Sequence, residues 1–140
     1  MIYFEPNFYY TRTNEWAERR GDENIRVGID DYSQAALGDI VYVELPQEAG
    51  AELKAGDVFA RIEATKSVSE IKAPVSGKII DINQELEAQP GIINFDPFGA
   101  GWLVDIKADD LSELDKLLSA DAYKNYLKNK YGCFKSGYIK

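Results

Sequence analysis

The sequence predicts a single, mainly β domain, arranged as a small β-sandwich or flattened barrel with short helices near its C-terminal end. Between residues 25 and 107, hydrophobic and polar side chains alternate in short runs with a period of roughly two. Glycine, proline, asparagine and aspartate separate these runs. Because little sequence lies between the runs, helical crossovers of about a dozen residues do not fit, and antiparallel pairing is expected.

Six runs are predicted as strands, and two stretches between them as short helices. Each strand run contains β-branched or aromatic residues. The strands are predicted at residues 24–29, 39–45, 58–63, 69–73, 77–83 and 101–107. The short helices are predicted at residues 31–38 and 90–95. The aromatic-rich residues 4–10 are expected to pack over the sheet as an N-terminal cover.

A helical pattern of apolar residues begins near Asp110 and ends at Gly132. Its apolar positions are Leu111, Leu114, Leu117, Leu118, Tyr123, Tyr126, Leu127 and Tyr131. Ser119 interrupts the pattern and is a typical N-cap residue. The pattern therefore predicts two short helices, or one kinked helix, packed on the sheet.

The composition narrows the class of function. With 140 residues the chain has the size of one domain, and its formal net charge of -8 disfavours binding to nucleic acids or anionic membranes. The chain has no histidine, which excludes Ser/His/Asp and Cys/His catalysis and His-ligated zinc. We expect neither an enzyme nor a metal site. The single cysteine, Cys133, and the lack of a long apolar run indicate a cytoplasmic protein.

Lys66 lies between two predicted strands, in the stretch "IEATKSVSEIKAPVSG". Its neighbours are too small to bury it, so the amine should stand in water at a hairpin turn. An exposed lysine is ordinarily a solubilising charge. A Schiff-base lysine would need an apolar pocket, which this stretch does not supply. An amine displayed on a hairpin is instead suited to acylation by another enzyme.

Several segments, in order and with their spacing, resemble the H-protein family of the glycine cleavage system, which is built on the lipoyl-domain hammerhead barrel. The segments are "TNEWAE", "VGIDDYSQAALGDIVYVELP", "ELKAGDVFARIEATKSVSEIKAPVSGKIIDIN", "DPFGAGWLVDIK" and "LLSADAYKNYL". They run from about Tyr10 to Leu127. The resemblance implies that Lys66 carries lipoate. Biotinyl carriers usually have methionines beside the lysine, so Thr65 and Ser67 favour lipoate.

The resemblance also implies partners and a cleft. A lipoate ligase or lipoyl transferase would attach the arm. Oxidised lipoyl would take an aminomethyl group from a pyridoxal-phosphate glycine decarboxylase, pass it to a folate-dependent aminomethyltransferase and be reoxidised by dihydrolipoyl dehydrogenase. The polar residues that match the cleft for the loaded arm, or flank the lysine, are Thr13, Glu15, Glu63 and Glu70. Glu15 would pair with a protonated amine through a charge-assisted hydrogen bond.

The chain departs from the family's pattern at three places. Asn14 replaces a histidine that often precedes the Glu-Trp pair, Ala36 replaces a cleft histidine of plant-type members, and the sequence beyond Leu127 matches nothing in the family pattern. These departures leave a second interpretation open, in which an H-like lipoate-binding protein carries sulfur for a heterodisulfide-reductase-like complex of bacterial sulfur oxidation. An unmodified interaction or regulatory module is a third.

The C-terminal residues differ in charge from the rest of the chain. We predict one lipoyl-carrier domain over residues 1–131 and a basic, aromatic tail over residues 132–140. Residues 122–140 contain lysines and no acid. The tail either lies on the acidic body or docks a partner. Lysines around Cys133 would favour its thiolate, which could exchange with a lipoyl disulfide.

Overall fold

The computed structural model describes residues 2–46 and 48–131, and within them it shows two antiparallel β-sheets, short helices between strands and a C-terminal helix. The strands are β1 (Tyr9–Tyr10), β2 (Glu15–Arg19), β3 (Asn24–Ile29), β4 (Ile40–Glu44), β5 (Glu52–Leu53), β6 (Val58–Ala64), β7 (Val68–Lys72), β8 (Gly77–Ile82) and β9 (Val104–Ala108). The helices are α1 (Asp31–Leu37), α2 (Glu85–Ala88), α3 (Ile92–Phe95), a 3₁₀ helix (Leu111–Lys116) and α4 (Ala120–Tyr131). The mainly β prediction is confirmed, and the sheets form an open sandwich rather than a closed barrel.

The two sheets differ in size and in role. The larger one has the strand order β1-β2-β3-β9-β8-β5, and the smaller one has the order β4-β6-β7. In the smaller sheet β6 and β7 form a hairpin in which Arg61 pairs with Glu70 and Glu63 pairs with Val68. This hairpin contains Lys66 in its turn.

The main core is formed by aliphatic side chains from the strands and the connections between them. Ile25, Ile62, Ile79, Leu103 and Ile106 are all fully buried. The alternation seen in the sequence explains this arrangement, because successive side chains of a strand point to opposite faces of its sheet. Full burial of each such side chain contributes roughly 1.5–3 kcal/mol to folding, so the core holds the hairpin on a stiff support.

A second buried cluster joins the N-terminal segment to α4. Phe4 and Tyr10 pack with Trp16, Tyr123 and Leu127 in this cluster. The rings of Tyr10 and Tyr123 are stacked, with centroids 4.8 Å apart. The N-terminal segment thus packs between the sheet and the C-terminal helix.

The C-terminal half of the predicted helical pattern is an α-helix, and the first half is not. Leu111 and Leu114 lie in the 3₁₀ helix, whereas α4 begins after Ser119, whose Oγ accepts a hydrogen bond from the amide of Ala122 at 3.1 Å. The predicted tail, residues 132–140 with Cys133, lies outside the described residues. Within residues 2–46 and 48–131, every helix is too short or too polar to cross a membrane.

Candidate functional site

The β6–β7 hairpin presents Lys66 to solvent. The backbone amide of Ala64 donates to the carbonyl oxygen of Ser67 at 2.9 Å, which closes the turn. Lys66 is exposed, as the sequence predicts. Among the described residues its amine has no carboxylate within ion-pair distance. The amine is therefore free to meet a modifying enzyme.

The residues between α1 and β4 support the turn from one side. The amide of Thr65 donates to the carbonyl oxygen of Asp39 at 2.9 Å. Gly38 ends α1 with a φ of 87°, a conformation that favours glycine. A Cβ atom at Gly38 would lie 3.2 Å from Thr65 Oγ1 and 3.5 Å from Lys66 Cδ. A side chain at Gly38 would therefore crowd Thr65 Oγ1 and come into van der Waals contact with the aliphatic stem of Lys66.

Asn94 in α3 fixes this supporting segment with its side chain. Its Oδ1 accepts a hydrogen bond from the amide of Ile40 at 2.9 Å, and its Nδ2 donates to the carbonyl oxygen of Gly38 at 2.9 Å and to Gln34 Oε1 at 3.0 Å. The sequence analysis missed Asn94. A polar residue inside the otherwise apolar "IINF" was the available signal.

Glu15, a predicted cleft residue, is enclosed by hydrogen-bond donors. Its Oε1 accepts from the hydroxyls of Thr11 and Thr13, each at 2.5 Å, and its Oε2 accepts from the amide of Lys72 at 3.1 Å. The carboxylate is buried, and burial raises its pKa although these hydrogen bonds act in the opposite direction. Contact between Glu15 and an amine on the arm stays a prediction.

The other predicted cleft residues lie near the same hairpin. Thr13 is exposed and donates to Glu15. Because Glu15 also accepts from Lys72, this pair is joined to β7, the strand that carries the exposed Glu70. Glu70 lies four residues from Lys66, about 13 Å along a strand. Glu63 is half-buried on β6, 3.6 Å from the guanidinium of Arg61. The structure therefore places Thr13 beside Glu15, and Glu63 and Glu70 on the strands that flank the lysine.

Asn14 and Asp30 belong to a second polar group, and nothing in the sequence indicates that these two residues lie close together. Tyr123 Oη donates to Asn14 Oδ1 at 2.7 Å, and Asn14 has a φ of 76°, which asparagine tolerates well. Asp30 Oδ1 accepts from the amide of Ser33 at 2.7 Å and caps α1. Because the Tyr123 hydroxyl donates to Asn14, Asp30 Oδ2 is left without a hydrogen bond. Burial raises the pKa of Asp30 to about 7.

The residues around Lys66 fit an acyl group on its amine. The stem lies beside a glycine, the neighbouring Thr65 and Ser67 are small, and the amine is exposed. Residues 2–46 and 48–131 contain no group of three or more histidine, cysteine, aspartate or glutamate side chains placed to hold a metal ion.

A sheet with an exposed lysine at a hairpin turn is the arrangement that the sequence predicts for a carrier modified on that lysine. Residues 8–130 match the family model described as glycine cleavage H-protein. The chain belongs to that family.

Individual relatives agree with the family match. The chain is 54% identical over 127 residues to the glycine cleavage system H protein of Mycobacterium sp. (strain KMS), covering 89% of this chain and 96% of that protein. It is 48% identical over 126 residues to the protein of the same name from Mycobacterium avium (strain 104), covering 87% and 95%. The crystal structure of a glycine cleavage system H protein from Mycobacterium marinum superposes with a TM-score of 0.78 at 34% identity, covering 91% of this chain and 99% of that one. These relatives favour glycine cleavage over the sulfur-carrier and unmodified-module interpretations.

Proposed function

We propose that this protein is the lipoyl carrier of a glycine cleavage system and that Lys66 is its attachment site. The observation that carries the proposal is the position of Lys66, exposed and unpaired among the described residues at the turn of a hairpin whose strands are anchored in the core. Family membership supports the same role.

The attachment reaction needs a free amine and space around it. The Nζ of Lys66 would attack the carbonyl carbon of lipoyl adenylate; the amide C–N bond would form, the bond from that carbon to the adenylate oxygen would break, and the proton released from the amine would pass to solvent. The hairpin turn presents the amine to solvent, where the modifying enzyme can reach it. The attached group would reach roughly 14 Å from the backbone, at standard bond lengths.

The protein's contribution is presentation, whereas the lipoyl dithiolane supplies the reversible thiol chemistry that carries the aminomethyl group. Tethering keeps that group near a docked enzyme at an effective concentration that can reach about millimolar. The expected partners are a lipoate ligase or lipoyl transferase, glycine decarboxylase, aminomethyltransferase and dihydrolipoyl dehydrogenase. We assign Thr13, Glu63 and Glu70, together with the buried Glu15 that is hydrogen-bonded to Thr13, to the cleft that the arm visits.

Two further parts of the proposal concern the end of the chain. Residues 1–131 would form the carrier domain, and residues 132–140 a basic tail. Cys133 would exchange with the lipoyl disulfide, and an unchanged rate of lipoyl reduction in Cys133→Ser would exclude this role.

Mass spectrometry tests the attachment site directly. Purified protein is incubated with lipoate, ATP and a lipoate–protein ligase, and its intact mass and tryptic peptides are measured. The wild type and Lys78→Arg, a control at another exposed lysine, should each gain one lipoyl group. Lys66→Arg should gain none. Modification at another lysine, or no modification of the wild type, would overturn the proposal.

A loading assay tests the cargo. Lipoylated protein is mixed either with glycine decarboxylase and glycine or with a sulfane-sulfur donor, and the adduct is weighed. Addition of an aminomethyl group in the first mixture supports glycine cleavage, whereas a sulfur adduct alone contradicts it.

A further inference from the structure

Four exposed apolar side chains lie around the Lys66 hairpin. They are Val41 (57% exposed), Tyr42 (46%), Val68 (58%) and Phe95 (94%), here called the hairpin patch. Phe95 is the most exposed of the large hydrophobic residues in the described part of the chain. Single exposed hydrophobic residues are common on protein surfaces, so the position of these four residues matters more than their exposure.

Backbone pairing brings two of these residues into register with the hairpin. Tyr42 of β4 pairs with Glu63 of β6, and Glu63 pairs with Val68 of β7, so the three lie in one row across the smaller sheet. Val68 is two residues from Lys66. An irregularity in β4 between Ile40 and Tyr42 leaves both Val41 and Tyr42 on the solvent side.

Phe95 follows Asn94, whose hydrogen bonds place this part of α3 near the Lys66 hairpin. The side chain of Asn94 is hydrogen-bonded to Gly38 and Ile40, and a Cβ atom at Gly38 would lie 3.5 Å from Lys66 Cδ. Phe95, the next residue, is thus held on a fixed support close to the lysine. An aromatic side chain that is fully exposed on a rigid element is typical of an interface anchor.

Acidic residues border the hairpin patch. They are Asp39, Glu44, Glu63 and Glu70, and the nearby bases are Arg61 and Lys66 itself. Arg61 lies 3.7 Å from Glu44 and 3.6 Å from Glu63, which partly neutralises those two acids. The rim is acidic overall, so a partner that covers the apolar centre should present a basic rim of its own.

We propose that the hairpin patch docks the enzyme that attaches lipoate to Lys66, with Phe95 entering an apolar pocket of that enzyme. This inference rests on the proposed lipoylation of Lys66. The length of the Lys66 side chain favours the attaching enzyme over the other expected partners as the protein that binds the hairpin patch. An unmodified lysine places its amine only roughly 6 Å from its own Cα, so the attaching enzyme must cover the surface beside the turn. Enzymes that act on the end of the attached arm work roughly 14 Å from the backbone.

Initial rates of lipoyl transfer test the proposal. The full-length unmodified protein is titrated against a lipoate–protein ligase with saturating ATP and lipoate. Phe95→Ala should raise KM about thirtyfold, the size of effect expected for a hot-spot residue, while kcat stays unchanged. Val68→Ala should raise KM by a smaller factor. Val58→Ala is the matched control, since Val58 is 47% exposed at the opposite end of β6 and should leave KM unchanged.

The outcomes separate the docking surface from the carrier function. If every variant is modified to completion with the wild-type KM, the docking proposal is wrong and the attachment site stands. If the wild type is never modified at Lys66, both the docking proposal and the proposed attachment site are wrong. Wild-type ligase kinetics for Phe95→Ala, combined with slow loading of its lipoylated form by glycine decarboxylase, would assign the patch to that enzyme. A wild-type dimer that Phe95→Ala converts to a monomer in sedimentation, with ligase kinetics unchanged, would assign it to a second copy of this chain.

Discussion

The side-chain amide of Asn94 donates a hydrogen bond to the backbone oxygen of Gly38 over 2.9 Å. A Cβ atom at Gly38 would lie 3.5 Å from Lys66 Cδ, and the neighbouring Asp39 accepts a hydrogen bond from Thr65 in the hairpin turn. One amide side chain thereby fixes the segment on which the proposed modification site is supported.

Replacement of Asn94 tests the importance of this support. Asn94→Ala removes three side-chain hydrogen bonds, to Gly38, Ile40 and Gln34. At about 1 kcal/mol for each bond, we expect the free energy of unfolding to fall by about 2–3 kcal/mol. Urea denaturation followed by circular dichroism measures the change. Asn125→Ala, on the exposed side of α4, should shift the midpoint little, and an equally small shift for Asn94→Ala would contradict the assigned role.

Six of the nine strands could be predicted from local sequence patterns, whereas three strands of the described residues were not predicted. β3, β4, β6, β7, β8 and β9 lie where alternating runs occur in the sequence. β1 and β5 have only two residues each, too few for any pattern. β2 contains the buried Glu15 beside Trp16, so its polar residues do not simply mark the solvent face. The hydroxyls of Thr11 and Thr13 that donate to Glu15 are close in sequence, but the amide of Lys72 is 57 residues away and leaves no local signal.

The position of Lys66 at a hairpin turn could be predicted from the sequence, but the contacts that hold the neighbouring segment in place could not. Small residues around a lysine between two strand runs are visible in the sequence. By contrast, Asn94 acts on Gly38 across 56 residues of sequence, and the exposure of Phe95 depends on how α3 packs. Contacts of this range are set by the tertiary fold.

A close approach between Gly28 and Trp16 gives a second prediction. A Cβ atom at Gly28 would lie 2.5 Å from a ring carbon of Trp16, whose Nε1 is fixed by hydrogen bonds to Ile29 and Pro97. Gly28→Ala should therefore lower the free energy of unfolding by roughly 1–3 kcal/mol through overpacking. Thermal unfolding monitored by tryptophan fluorescence measures this loss of stability. Gly91→Ala, where a Cβ would meet nothing within 4 Å, is the control.

The ion pair between Arg26 and Asp105 gives a third prediction. The guanidinium donates two hydrogen bonds, of 2.8 and 3.1 Å, to the carboxylate and lies 4.0 Å over the ring of Trp102. Lysine can form neither the paired hydrogen bonds to Asp105 nor the stacking on the ring of Trp102. Arg26→Lys should therefore lower the free energy of unfolding by about 1–2 kcal/mol. The exposed pair of Arg20 and Glu18 is the comparison, and Arg20→Lys should change stability by less than about 0.5 kcal/mol. Equal losses from the two variants in guanidinium denaturation would refute this ranking.

Asp30 makes stability depend on pH. Burial raises its pKa to about 7 from an ordinary value of 3.8, although the amide of Ser33 and the nearby Tyr123 hydroxyl lower it and Asp31 raises it further. Between these two values the folded protein holds a proton on Asp30 that the unfolded chain has released. The contribution of Asp30 to stability is therefore complete below about pH 4 and is lost as the pH rises to 7.

Asp30→Asn should remove this dependence, because the amide oxygen can still cap α1 and the side chain cannot ionise. Between pH 5 and pH 7, the stability of the variant relative to the wild type should increase with pH, by up to about 3 kcal/mol. Urea unfolding at four pH values across this range measures the difference, and subtracting the wild-type curve cancels much of the titration of Glu15 and the other acids. Asp22→Asn, at an exposed position, should give a flat difference. A flat difference for Asp30→Asn as well would show that Asp30 is ionised in the folded protein throughout this range.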